Sequence, residues 1–545
     1  MPIDFKAIES RFVSTDDGKC TFSKNGMVTT QSPQAGTAGA EILRVGGNAV
    51  DAAVAAALVL GVTEPQASGL GGQTMMLIHN GDKVIAVDGS SRAPSLAHVS
   101  AVYKRDRSTG YRATTVPSTP ATLWYIQDRY GELPWAQVVE PAIALAENGF
   151  TISELQHRLL SREKEKFFSV ESRSGVKYFY NHNEPYYPGE VFKQSDLAGT
   201  LKRIADHGIE DFYRGTIAKQ IDADMRENGG LLRMDDLALI PFPIEREPLI
   251  RPFRGLDVYT MPPPGSGRSL LFALMMLDLV PQEVEMNDPL KEYLLFIHIL
   301  RKVFLDRSDR PFDPNFFSQT RNEESMLDSL YARECLLDIL EHVDQSILPL
   351  VPTEDEITGE TTHLSVVDVN GMAVSLTQSI ERVYGSKAAS EGLGFLYNNY
   401  LFDFDYALPE HPFYLRPNAV PWATVAPTMV FNGNDLWLVL GSPGSERIIS
   451  TLVLFLSHMI DNQKSLGEAM RAPRLHCSLG GRVSLEAGRF PESLVPFLEY
   501  KGFRIDKRED YAFYLGCVQA ILKKHDGGGF QGVADVRRDG TAVGA

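Results

Sequence analysis

Residues 344–379 read DQSILPLVPTEDEITGE-TTHLSVVDVNGMAVSLTQS, and the change of texture inside this stretch decides the fold. Its first part, 344–360, is polar, contains proline and has no helical period, which predicts an exposed, flexible linker. From Thr361 onward the pattern switches to short alternating runs. THLSVVDV and GMAVSLTQS are separated by Asn370-Gly371, a dipeptide suited to the tight turn of a β-hairpin. Thr377 and Ser379 lie two apart, so a strand places both hydroxyls on one face.

Downstream the texture stays hairpin-rich. TMVF-NGND-LWLVLG (428–441) predicts a second hairpin, followed by GSPGSE (441–446). A helix is expected from Arg447, with Ile448, Ile449, Leu452, Val453, Leu456 and Ile460 on one face. Upstream, residues 27–62 read as a strand and two helices. Ser32-Pro33 starts the first, because proline at the first helical position loses no needed N–H. Gly46 and Gly47 stop it, and Asn48 caps the Ala-rich run AVDAAVAAALVLG. Glycines cluster in SGLGGQ (68–73), before the strand-like MMLIH and KVIAVD. Residues 112–240 are mostly helical in pattern, 241–268 are Pro-rich and end in MPPPGSGR, and 285–345 return to helix. A helix-rich first part and a hairpin-rich last third fit layered sheets with helices outside. No internal repeat or low-complexity tract is present.

The 545 residues carry 53 Lys and Arg against 70 Asp and Glu, a net charge of −17. That balance argues against a nucleic-acid partner, which needs a basic footprint. Hydrophobic residues at 43% and charged residues at 23% are ordinary for a globular protein. Cys20, Cys335, Cys477 and Cys517 are scattered, without metal-ligand spacing, and read as free thiols of a reducing compartment. The start MPIDFKAIESRF lacks a basic-then-apolar signal, and the apolar runs 49–62 and 446–460 are not membrane spans. The expectation is a cytoplasmic protein.

Familiar site motifs are missing: no Walker loop, HExxH, GxSxG, zinc spacing or EF-hand. SGLGGQ is not a dinucleotide fingerprint. Ser161 and Lys164 match SxxK inside a highly charged helix, which reads as a solvated face. His476 beside Cys477 reads as structural. No spacing implies a metal or an organic cofactor. What stands out is Thr361-Thr362-His363 placed directly after the linker. A threonine hydroxyl needs a base beside it to act as a nucleophile. If the peptide bond between Glu360 and Thr361 breaks, the new α-amine of Thr361 is that base, with a reference pKa of roughly 7.7–8.0. This is the N-terminal threonine arrangement for acyl transfer.

The chain resembles the γ-glutamyltransferase (γ-glutamyltranspeptidase) family of N-terminal-nucleophile hydrolases. The resemblance is carried by GMVTTQSPQAGTAGAEILRVGGNAVDAAVAAALVLGVTEPQASGLGG (26–72), YGELPWAQVVEPAIALAENGF (130–150) and FYRGTIAKQIDADMRENGGLL (212–232). It continues through MPPPGSG (261–267), TTHLSVVD (361–368), NN with DF (398–399, 403–404), APTMV (426–430) and GSPGSERII (441–449). It implies an α+β fold, a four-layer αββα sandwich, made as a precursor that cuts itself between Glu360 and Thr361. Residues 1–360 then form a large subunit and 361–545 a small one, entwined as a heterodimer that is open to further dimerisation. The freed Thr361 attacks a small amide, and water or an amino acid removes the acyl group, as in hydrolysis of glutathione. No nucleic acid or membrane partner is implied.

By the same resemblance Thr377 sets the nucleophile, and Ser379 assists through its hydroxyl. Gly444 and Ser445, whose N–H groups lie near a helix N-terminus, form the oxyanion hole. Asp403 holds an α-amine. Other acyl-pocket positions depart from the family pattern. The family's carboxylate-binding Arg is Ser90 here, with Arg92 two residues on. Its Asn is Glu381, its Gln or Glu is Tyr400, and its Ser-Ser pair is Ala423-Thr424. Such changes redirect specificity. Three readings follow: a γ-glutamyl enzyme, an acylase or amidase with a different acyl group, and an uncleaved inactive scaffold.

Overall fold

The computed structural model describes residues 3–280, 289–309, 325–343, 359–478 and 480–545. Most of the linker predicted over 344–360 lies outside the described residues; Gly359 and Glu360 lie within them.

The two predicted hairpins sit in two different sheets. The first sheet runs, edge to edge, Thr541–Gly544, Gly26–Thr30, Thr362–Asp368, Ala373–Ser379, Gln73–His79, Val84–Gly89 and Ile244–Arg246. The second runs Cys20–Ser23, Phe530–Ala534, Gln519–Lys523, Asp435–Gly441, Thr428–Asn432, Leu256–Thr260 and Leu249–Phe253. Every pairing in both is antiparallel. The Asn370-Gly371 turn fixes the register, with Thr362 opposite Gln378 and His363 opposite Thr377. Gly371 takes the positive φ of 86° that this turn requires. The chain ends are woven in: the last strand pairs with Gly26–Thr30.

Helices pack against the sheets, and the sequence explains which. Ala49–Thr63 is apolar all round and is buried on nearly every side. Asn48 and Asp51 close its first turn as a capping box. Buried Asp51 also accepts from the N–H groups of Glu132 at 2.9 Å and Leu133 at 3.3 Å, which satisfies its charge. This helix lies on the Thr362–Asp368 and Ala373–Ser379 strands. On the second sheet the Gly267–Asp278 helix covers Leu249–Phe253, and the amphipathic Arg447–Ile460 helix packs against it. The apolar core divides accordingly. One cluster joins the Ala49–Thr63 helix to Leu364, Val366, Val374 and Leu376. A second joins Leu270–Met276 and Ile448–Ile460 to Leu438 and Leu440. A third holds Met75, Leu77, Val367 and Ala373 from the first sheet with Met429, Val439 and Ile521 from the second. All four cysteines are free and buried. Among the described residues, no helix is long and apolar enough to cross a membrane.

Candidate active site

Strand alternation builds the site. Odd residues of 361–367 and 373–379 face the second sheet, and even ones face the Ala49–Thr63 helix. The hairpin therefore brings Thr361 to Ser379. Thr361 Oγ1 donates to Ser379 Oγ at 3.3 Å, and Ser379 Oγ donates to the carbonyl oxygen of Glu360 at 2.8 Å. The N–H of Glu381 donates to Ser379 Oγ at 2.8 Å and fixes that hydroxyl. The preceding segment is held in extended pairing: Gly359 bridges Arg382, and Glu360 N–H donates to Glu381 C=O at 2.7 Å. Thr361, its hydroxyl neighbour Ser379 and the Glu360 carbonyl thus form one continuous hydrogen-bond chain.

Thr377 stands one step behind. Its Oγ1 is 2.8 Å from His363 Nδ1, so it engages the histidine instead of Thr361 directly. His363 Nε2 contacts Ser365 Oγ at 3.2 Å. Burial holds this imidazole neutral, with its pKa lowered to about 3. The second sheet presses on it: a Cβ added at Gly441 would fall 2.1 Å from His363 Cε1.

Gly444 and Ser445 lie where the GSPGSE loop enters the Arg447–Ile460 helix. Their φ values are 122° and 54°, and Ser445 is a serine in the left-handed region, a conformation that costs free energy unless its surroundings enforce it. Neither N–H donates to a protein acceptor among the described residues. The loop touches the segment ahead of Thr361, since a Cβ on Gly359 would lie 2.8 Å from Ser445 Cβ and 3.5 Å from Glu381 Oε1.

The pocket candidates separate into two groups. Glu381, Asp403 and Tyr400 come together. The Glu381 and Asp403 carboxyls face each other; burial raises both above the usual carboxylate range, and for Asp403 the Glu381 charge adds to the rise. Asp403 Oδ2 is buried without a partner among the described residues. The Arg382 guanidinium, stacked 3.6 Å over Phe402, opposes their charge. Tyr400 is fully buried, and burial pushes its hydroxyl well above the usual tyrosine range. Arg92, Ala423 and Thr424 do not join them by any hydrogen bond. The Arg92 backbone bridges Val116, and its guanidinium has no partner among the described residues. Ala423 pairs with Pro264 and Ser266, and Thr424 Oγ1 accepts from Trp422 Nε1 at 3.2 Å. Ser90 donates to Asp88.

Three charged residues of the site escaped the sequence reading. Glu64, at the end of the Ala49–Thr63 helix, accepts from Thr362 Oγ1 at 2.6 Å, and burial raises its pKa to about 7. Arg538 pairs with the Glu360 carboxylate, each side chain 2% exposed. Arg382 is the third. No local pattern announces Glu64 or Arg538, whose partners lie far along the chain. Among the described residues, no group of three His, Cys, Asp or Glu side chains is arranged to hold a metal ion.

Comparison with known proteins gives the chain a family. Residues 35–545 match the family described as gamma-glutamyltranspeptidase. The glutathione hydrolase proenzyme of Escherichia coli (strain K12) is 34% identical over 536 residues, covering 93% of this chain and 89% of that protein. The acylase ACY 1 proenzyme of Pseudomonas sp. (strain V22) is 31% identical over 550 residues, covering 97% and 95%. The crystal structure of cephalosporin acylase from Bacillus halodurans matches with a TM-score of 0.88 at 28% identity, covering 98% of each chain. With the family match running over nearly its whole length, the chain belongs to the γ-glutamyltranspeptidase family and is an enzyme of the γ-glutamyltransferase kind.

Proposed function

We propose that this chain is a self-processing N-terminal threonine amidohydrolase or acyltransferase with Thr361 as nucleophile. The observation that carries the reading is the hydrogen-bond chain from Thr361 Oγ1 through Ser379 Oγ to the Glu360 carbonyl. In the first step Thr361 Oγ attacks that carbonyl carbon, the Glu360–Thr361 C–N bond breaks, and the nitrogen takes up the proton. The resulting ester is hydrolysed, leaving a Glu360 carboxylate and a free Thr361 amine. That amine then serves as the base for the Thr361 hydroxyl. The hydroxyl attacks a substrate amide, the amine leaves with a proton, and water or an amino acid takes the acyl group. Residues 1–360 and 361–545 become the two subunits of one αββα sandwich, a layering supported by the three separate apolar clusters. The N–H groups of Gly444 and Ser445 receive the developing oxyanion; losing one such donor typically costs about 10²–10³ in rate.

A second reading keeps this machinery and changes the acyl group. It is favoured by the Glu381–Asp403 pair, which puts a carboxyl where the family places an amide. The acylases among the relatives make such a change plausible within the family. The test is intact mass and N-terminal sequencing after incubation, then γ-glutamyl-p-nitroanilide on the same sample. Two chains with a Thr361 terminus and nitroaniline release support the γ-glutamyl reading. Two chains without release support the second reading, and one uncut chain sinks both.

A further inference from the structure

Four residues of the loop 381–387 take positive φ: Glu381 at 81°, Tyr384 at 57°, Gly385 at 49° and Lys387 at 60°. Three of them carry a side chain, so this conformation costs free energy at each and persists only where the surroundings enforce it. The loop begins at atoms that serve the site. Glu381 N–H fixes the Ser379 hydroxyl, and Glu381 C=O accepts from Glu360 N–H. Any slackening of 381–387 therefore reaches both.

Several contacts hold the loop in place. Tyr384 N–H donates to Gln66 C=O at 2.9 Å, and its ring meets Phe167 edge-on at 5.3 Å. Gly385 N–H closes onto Arg382 C=O at 2.6 Å. Lys387 adds a side-chain brace. Its side chain is 2% exposed, and Nζ stands 3.5 Å from Glu163 Oε2 on the helix Glu154–Ser169. Nζ also donates to Gly385 C=O at 3.1 Å. One amine thus ties the strained turn to itself and to a neighbouring helix.

Lysine is unfavourable at this position on two counts. Glycine would take a φ of 60° without strain, and an aliphatic side chain would fill the space without burying an amine. Burial pushes the Lys387 amine down to about 7; Glu163 opposes that fall, and Lys166 and Arg382 add to it. Nor does Glu163 depend on the lysine, since Lys166 Nζ lies 2.9 Å and Arg162 Nε 3.1 Å from its carboxylate. A position that breaks two local rules without an evident gain in packing points to function.

We infer that Lys387 is a positioning residue for the Thr361 chemistry: paired with Glu163, its ammonium braces the strained 381–387 loop and so aims the Ser379 hydroxyl at the Glu360 carbonyl. This rests on the Thr361 reading. Lys387 acts through Gly385, Arg382 and Glu381, not on the reacting atoms themselves.

The readout is self-cleavage of the full chain, followed by intact mass, which needs no substrate. Lys387→Met keeps the stem, removes the amine and leaves Glu163 paired. It is expected to cleave about tenfold more slowly, as misplacement of a reacting group does, with Tm within about 2 °C of the wild type. Glu163→Gln is expected to slow cleavage about threefold or more at retained Tm, and it is read on its own should Lys387→Met lose Tm. The double variant should be no slower than Lys387→Met alone by more than about twofold, because both changes remove one brace.

A pH series separates this role from packing. Only the charged amine pairs with Glu163. Glu163, Arg162 and Lys166 face it from the helix and Arg382 from its own loop, while Lys177 of the adjoining helix Ser174–Phe179 pairs with Glu391. Burial raises the nearby Tyr180 and Tyr384 hydroxyls, which stay neutral. The ratio of wild-type to Lys387→Met rates should therefore be largest near about pH 6 and shrink to about twofold or less by about pH 8.5. Groups present in both chains, Glu64 among them, cancel in this ratio. Wild-type cleavage in Lys387→Met, a slower rate seen only together with a lower Tm in both variants, additive effects in the double variant, or a ratio that does not change with pH overturns the assignment. A wild-type chain that is never cut at 360–361 overturns the Thr361 reading itself; a cut wild type with unaffected variants overturns only the role of Lys387.

Discussion

The two faces of the strand beginning at Thr362 are built on opposite principles. Toward the second sheet stand Thr361, His363 and Ser365, a row of polar groups each hydrogen-bonded to a neighbour, before the face turns apolar at Val367. Toward the Ala49–Thr63 helix stand Leu364 and Val366 in a continuous apolar core, with Thr362 and Glu64 as its polar end. The same alternation serves both faces, yet one carries a row of hydrogen-bonded polar groups and the other is packed apolar. A buried polar row of this kind is unfavourable unless every member finds a partner. Its conservation of hydrogen bonds is what separates a site from an accident of composition.

The largest effects should fall on the polar face. Thr361→Ala is expected to leave a single uncut chain without turnover, since both steps lose their nucleophile; two chains in that variant, seen by mass, would refute the assignment. Its neighbour on the opposite face provides the contrast. Thr362→Val should still be cut, with a stability loss of about 1 kcal/mol from the missing hydrogen bond to Glu64. Next comes Ser379→Ala, expected to slow self-cleavage by about 10²–10³-fold because the scissile carbonyl loses its donor. Ser379→Thr keeps a hydroxyl and should recover most of the rate in the same time course.

On the packing face the expected signal is a pH dependence. The folded pKa of Glu64 is raised to about 7 by burial, from an unfolded value near 4.5. Below about pH 4.5 both states hold the proton. Between about 4.5 and 7 the unfolded chain releases it while the folded protein keeps it, so stability falls as pH rises. Above 7 the contribution is lost, and the total change is on the order of 3 kcal/mol. In a Thr361→Ala background, which stays uncut, Glu64→Gln should remove this slope from urea midpoints measured between pH 5 and 7.5. An unchanged slope would mean that Glu64 is ionised in the fold.

Much of this contrast was legible in the sequence. Asn370-Gly371 and the alternation on either side give the hairpin and the shared face of Thr377 and Ser379, while Ser379 as a helper of Thr361 came from the family resemblance. The composition of 49–63 announces a helix buried all round. Other parts depend on tertiary placement. Glu360 and Arg538 are brought together only because the C-terminal strand pairs with Gly26–Thr30, and no local pattern encodes that. Glu381 adopts a φ of 81°, a backbone state that glutamate does not advertise. Thr377 was placed on the right face by spacing, but its partner His363 follows from cross-strand pairing.

The smallest expected effect tests how tightly the second sheet seals the polar row. His363 lies under Gly441, and a methyl at that position would overlap the imidazole ring at 2.1–2.5 Å from three of its atoms. His363 is locked between Thr377 and Ser365, so it has little room to yield without breaking a hydrogen bond. Gly441→Ala should therefore cost about 1–3 kcal/mol, the usual range for overpacking. Part of that loss should appear as slower self-cleavage, because displacement of His363 moves the strand that carries Thr361. Measured Tm and cleavage rate should fall together. A lowered Tm with an unchanged rate would show that Thr361 is positioned by Ser379 and the 381–382 pairing alone, and that the imidazole beneath the second sheet serves packing on this face as leucine and valine do on the other.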